Sequence, residues 1–136
     1  MMAEVSRIVL RHGGERIEVH GGWLSFRPVV DPTVGAYVLV ETANDSPTGV
    51  RLHIHERQDY GWLILEGEYV FQVCRQTISA HAGDFVFAPR NVPHSYAHRS
   101  AAVARALIMA TPAGFEGIWR ESARLGPDMA AHVDLT

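Results

Sequence analysis

The sequence contains no lysine: all twelve of its basic residues are arginine. That absence excludes chemistry requiring a side-chain amine, such as a Schiff base or a phosphate-binding P-loop lysine. Cysteine occurs once, at Cys74, so neither an internal disulfide nor a multi-cysteine zinc site can form. Cys74 follows an apolar segment with no neighbouring histidine, which predicts a buried, inert thiol. No basic block occurs, and the formal net charge is −3, which argues against nucleic acid and anionic membranes as partners. There is no apolar run long enough for a membrane span and no signal-like apolar region near the start. Together with the single thiol, this predicts a cytoplasmic protein.

Apolar residues make up 47% of the 136 positions and charged residues 20%, a balance that suits one folded domain over residues 1–136. From Ile17 to Ala110, short segments rich in Val, Ile, Leu, Phe and Tyr alternate with Gly, Pro, Asn and Asp turns. A spacing of roughly 8–12 residues predicts an all-β sandwich or barrel. The expected strands are Ile17–Val19, Trp23–Arg27, Ala36–Glu41, Val50–His55, Gly61–Leu65, Tyr69–Val73, Gln76–Ala80, Asp84–Ala88, His94–Ala97 and Val103–Ala110. After them the period changes. Thr111 and Pro112 form a helix start, and Phe115, Ile118, Trp119 and Leu125 share one face before Gly126-Pro127. A short C-terminal helix is therefore expected over 112–125, followed by a tail over 126–136.

Against these scarcities stand eight histidines. His53 and His55 are two apart in an expected strand, which puts both imidazoles on one face with α-carbons about 7 Å apart. Such a pair also occurs on solvated faces and means little alone. His94, directly after the rigid run Pro89-Arg90-Asn91-Val92-Pro93, supplies a third imidazole. Three nitrogen ligands suit a divalent Fe, Ni, Mn, Co, Cu or Zn with open coordination positions. His98 lies about 13 Å along the strand from His94, too far to share an ion, and is expected at a loop or pocket rim. His12, His20, His81 and His132 read as surface residues.

The segment GVRLHIHERQDYGWLILEG, Gly49 to Gly67, resembles the first conserved motif of the cupin family in its glycines and its His-x-His. The segment GDFVFAPRNVPHSYAH, Gly83 to His98, resembles the second through Gly83, Pro89 and His94. The likeness runs from about Gly35 to Glu116, and TPAGFEGIWRE is similar to the tail of single-domain, quercetinase-like members. It implies a small double-stranded β-helix, or jelly-roll, barrel with a short C-terminal helix. It also implies a metal held by His53, His55 and His94, and pairing into a homodimer, for which outward Leu63 and Leu65 would offer apolar surface. Three positions depart from the motifs. Tyr60 stands where the motif has its metal-binding glutamate, with Asp59 and Gln58 as neighbouring candidates for that role. Asn91 replaces a glycine whose place requires positive φ, which asparagine tolerates best after glycine. His98 replaces an asparagine.

Alternation assigns Arg51, Trp62, Ile64 and Tyr96, with Tyr60, to the pocket; His98, too far from His94 to share an ion, is expected at its rim. A pocket of this composition suits a small, flat or apolar organic ligand. The resemblance implies a mononuclear metal-dependent dioxygenase, an oxidoreductase acting on a phenolic or enolisable small molecule, with Tyr60 the candidate for a catalytic part. Two other classes share the same residues: a non-oxidative isomerase, cyclase or hydrolase using the metal as a Lewis acid, and a binding or sensing module.

Overall fold

Alternating burial along Ala104–Thr111 shows why this chain builds sheets. Ala104, Ala106, Ile108 and Ala110 point inward and are almost fully buried, while Met109 between them is exposed. The computed structural model describes residues 16–19, 22–26, 37–100 and 102–112. They form ten strands: β1 (Arg16–Val19), β2 (Gly22–Phe26), β3 (Val38–Asn44), β4 (Thr48–His53), β5 (Asp59–Glu66), β6 (Glu68–Val73), β7 (Gln76–His81), β8 (Phe85–Ala88), β9 (His94–His98) and β10 (Ala104–Thr111). Each corresponds to one expected strand, with ends shifted by at most three residues. The helix expected over 112–125 and the tail beyond it lie outside the described residues, apart from Pro112; Thr111 itself ends β10.

The strands pair antiparallel into two sheets. The larger has the order β1-β2-β3-β10-β5-β8, and the smaller β4-β9-β6-β7. The sheets pack face to face over a shared core, to which Trp62 and Ile64 contribute from β5, Ile108 from β10, and Tyr69 and Phe71 from β6. Size matching across neighbours fills this space. Small Ala106 and Ala110 on β10 stand opposite Ile64 and Tyr60 on β5.

The closed barrel expected from the sequence is not what forms. Among the described residues no strand ladder joins the two sheets, and each remains an open sheet with its own edges. Inward and outward residues alternate identically in a barrel and a sandwich, so the pattern that identifies strands carries no information about closure. Among the described residues no helix is long and apolar enough to cross a membrane.

Two turns set the position of the site. Gly67, between β5 and β6, adopts φ +76°, and a β-carbon there would lie 2.8 Å from the Val103 carbonyl oxygen and 2.9 Å from Ala104 Cα. Only glycine fits that crossing without displacing β10. Asn91 adopts φ +68°, the left-handed conformation expected of it. Its N–H donates to the His55 carbonyl at 2.7 Å, tying the turn before β9 to the loop after β4.

Candidate metal centre

His53 ends β4, His55 lies two residues beyond it, and His94 opens β9. Strand pairing makes His53 and His94 cross-strand neighbours. A register shift between Val50 and His53 inserts one extra residue into β4. The bulge turns His53 toward the interior and leaves Arg51 exposed. Arg51 therefore does not line the pocket: alternation counted back from His53 fails at the bulge.

The three rings converge. Centroid separations are 4.7 Å for His53 to His55, 4.4 Å for His53 to His94 and 5.1 Å for His55 to His94. One ligand atom from each lies within 4.8 Å of the others, and the Nε2 atoms of His53 and His55 are 3.0 Å apart. Bonds of ~2.0–2.1 Å to one ion place neighbouring nitrogens roughly 2.9–3.4 Å apart, so this pair already has the spacing of two ligands on one ion. His55 and His94 are buried and His53 is half-buried.

Backbone carbonyls determine which nitrogen of two rings is free. His53 Nδ1 donates to the Arg51 carbonyl, and His94 Nδ1 donates to the Val92 carbonyl at 3.1 Å. A carbonyl only accepts, so both protons sit on Nδ1 and both Nε2 lone pairs are available. His94 Nε2 is buried and has no hydrogen-bond partner in the protein. A buried orphan acceptor of this kind fits a cation ligand, and the carbonyls are the outer partners that orient ligating imidazoles. Burial pushes the His94 pKa down to about 4, aided by the adjacent His53 and partly opposed by the Val92 hydrogen bond. Burial also lowers that of His53. Both rings are thus neutral and ready to ligate near neutral pH.

Tyr60, at the position of the missing carboxylate, is buried and stacks on His55, with centroids 4.3 Å apart and planes 5° from parallel. Asp59 is engaged elsewhere. It accepts from the Arg90 backbone N–H at 2.8 Å and from the guanidinium at 3.2 Å, and these hydrogen bonds lower its pKa. This clasp anchors the turn that carries His94, a positioning role that the sequence reading missed because the partners lie 31 residues apart. Gln58 is buried with an unpartnered Oε1. Trp62 and Ile64 are in the core, and Trp62 lies 5.4 Å from His94 and 5.7 Å from Tyr96. Burial raises the pKa of Tyr96 to about 12, so its phenol stays protonated.

Two expectations are corrected by burial. His98 is not at a rim: it is 1% exposed, packed against Tyr69 at 5.8 Å, because alternation from His94 returns it to the interior. Cys74 is exposed, since it occupies the β6–β7 turn with φ +56°. His81 is exposed as expected and lies 2.8 Å from a Glu68 oxygen.

With two facing antiparallel sheets and three clustered histidines able to hold a metal ion, the molecule has the form of a small β-sandwich with a candidate metal centre. The cupin domain family model matches residues 38–110, and the chain belongs to that family. No curated protein matches it. Among solved structures it is similar to KdgF from Halomonas sp. (16% identity, TM-score 0.69), covering 83% of this chain and 99% of that one. It is similar to Streptomyces Pac13, a nucleoside dehydratase also solved as variants with uridine. There identity is 21% and the TM-score 0.65, over 83% of this chain and 88% of that one. An RmlC-like cupin from Shewanella frigidimarina gives 20% identity and a TM-score of 0.67, over 85% and 99% of the two chains. These likenesses establish the fold. The quercetinase-like, dioxygenase and oxidoreductase reading has no counterpart among these relatives, the one enzymatic activity named being a dehydration. It is withdrawn.

Proposed function

We propose that this cupin is a metal-dependent enzyme of non-oxidative type, a dehydratase or isomerase acting on a small enolisable carbonyl compound. The observation that carries the reading is the set of three converging imidazoles, two with their Nδ1 protons held by carbonyl partners, with no carboxylate among them. His53, His55 and His94 would hold a divalent Fe, Ni, Mn, Co, Cu or Zn. When bound, that ion supplies Lewis-acid polarisation of a substrate oxygen, and neutral ligands leave its charge undiminished for the purpose. The chain's own groups do the rest. Burial of His55, His94, Tyr60 and Trp62 keeps water from the reacting carbon. Tyr60, held parallel to His55, offers a phenol O–H to a leaving or developing oxygen. Tyr96 remains a neutral wall of the pocket. Pac13, similar in fold, supports elimination of water as the reaction type.

The test is carbon acidity without oxygen. Zinc- or iron-loaded protein is incubated under argon in deuterated water with a panel of β-hydroxy carbonyl compounds and followed by proton NMR. We expect deuterium at the α-carbon, or loss of water, with at least one compound, and neither with His94→Ala. Turnover appearing only when dioxygen is admitted would overturn the reading.

A further inference from the structure

Among the described residues, few buried side-chain atoms lack a hydrogen-bond partner, and the histidine cluster accounts for only some of them. His94 Nε2 is explained by a cation. The two ring nitrogens of His98 lie four residues further along β9, beside Tyr69. Trp62 Nε1 is different, because its ring stands at the cluster itself, 5.4 Å from His94 and 5.5 Å from Tyr60.

An indole N–H only donates, and leaving it buried without an acceptor costs roughly 1–3 kcal/mol. Trp62 is 2% exposed, and its strand is paired on both sides, with Ile108 and Val86 as its cross-strand partners. Phe71, packed edge-on at 5.3 Å, offers no oxygen. A ligand oxygen seated at the cluster would supply the missing acceptor. Charge narrows its class further. Among the described residues no Asp, Glu or Arg is buried, and no carboxylate belongs to the histidine cluster. A divalent ion there would face the ligand with its full charge, and the indole would face it with the positive end of an N–H dipole.

We propose that Trp62 is the specificity-determining donor of this site: its indole N–H binds one oxygen of a small oxyanion or enolisable carbonyl compound whose other oxygen is held at the three histidines. This rests on the metal reading of His53, His55 and His94. Ligands with a second acceptor oxygen are favoured; ligands offering only a further N–H at that position are not.

Calorimetry on zinc-loaded wild type and Trp62→Phe tests it with two probes. Acetohydroxamate is a small anion with two oxygens; imidazole coordinates through one nitrogen and has only an N–H left. We expect zinc affinity and imidazole affinity to be unchanged, and acetohydroxamate to bind the variant roughly five- to tenfold more weakly, the worth of one hydrogen bond. Equal acetohydroxamate affinities, or equal losses for both probes, overturn the proposal while leaving the metal reading intact. If neither protein binds zinc, the metal reading fails and this inference fails with it. Should Trp62→Phe not fold, 15N-indole-labelled wild type serves, with the Trp62 resonance assigned by elimination using Trp23→Phe and Trp119→Phe. A downfield shift with acetohydroxamate and none with imidazole supports the proposal, and an unmoved resonance overturns it.

Discussion

At the residue scale, the site is governed by where two protons reside. Because Arg51 and Val92 carbonyls hold the Nδ1 protons of His53 and His94, neither Nε2 carries a proton: that of His94 has no partner in the protein, and that of His53 faces His55 Nε2 at 3.0 Å. We expect His94→Ala to weaken zinc binding by more than the ~10–100-fold that loss of an outer partner costs, read by competition with a chromophoric chelator. The same burial gives the metal-free protein a pH dependence. Both histidines have folded pKa values below the unfolded 6.5, so the unfolded chain takes up protons first as pH falls. Stability is therefore fully present above about pH 6.5 and is lost on descending toward pH 4, the folded value of His94. Thermal melts of the metal-free protein should show a falling midpoint across that window, and His94→Gln should flatten it. Neither carbonyl partner was legible in the sequence, since every residue carries a carbonyl and only folding selects the two that matter. The three histidines were legible, because they alone are placed by short motifs.

At the element scale, turns decide whether these histidines meet. Asn91 holds its left-handed conformation while its N–H reaches His55. Asn91→Gly should leave stability within about 0.5 kcal/mol, whereas Asn91→Val should cost about 1–2 kcal/mol by denaturant titration. Gly67→Ala should be worse, because the added methyl meets Val103 and Ala104 below 3 Å in addition to the unfavourable φ. We expect roughly 2–4 kcal/mol and a matching drop in the melting midpoint. All ten strands could be read from alternation and turn residues, since burial on one face imposes that pattern directly. The fate of Arg51 could not: a bulge sets two residues of one strand against one of its partner, and no side chain announces it. The Asp59–Arg90 clasp was hidden for a related reason, because its partners become neighbours only when β5 and the turn before β9 come together. Closure of the sheets was equally unreadable, as argued from the alternation common to both architectures.

At the scale of the whole molecule, the outer face of the larger sheet carries a group of exposed apolar side chains on β5, β8 and β10. Leu63 and Leu65 on β5, Phe85 and Phe87 on β8 and Met109 on β10 are all exposed, with Phe85 and Phe87 more than half so. The expected pairing of two copies has its test there. If the chain pairs through this face, Phe85→Ser combined with Phe87→Ser should convert a dimer to a monomer in sedimentation equilibrium; an unchanged mass would remove this face from consideration. The inner faces divide differently. All three histidines come from β4, its following loop and β9, which belong to the smaller sheet, whereas Tyr60 and Trp62 come from β5 of the larger one. On the proposed reading, cation capture and ligand choice would be carried by separate pieces of the scaffold. Changes in β5 and at Gln58 just before it would then retune what is recognised without dismantling what holds the ion, so a library confined to positions 58, 60 and 62 should yield altered selectivity among variants that still load metal. That separation makes the sandwich easy to repurpose, by descent or by engineering.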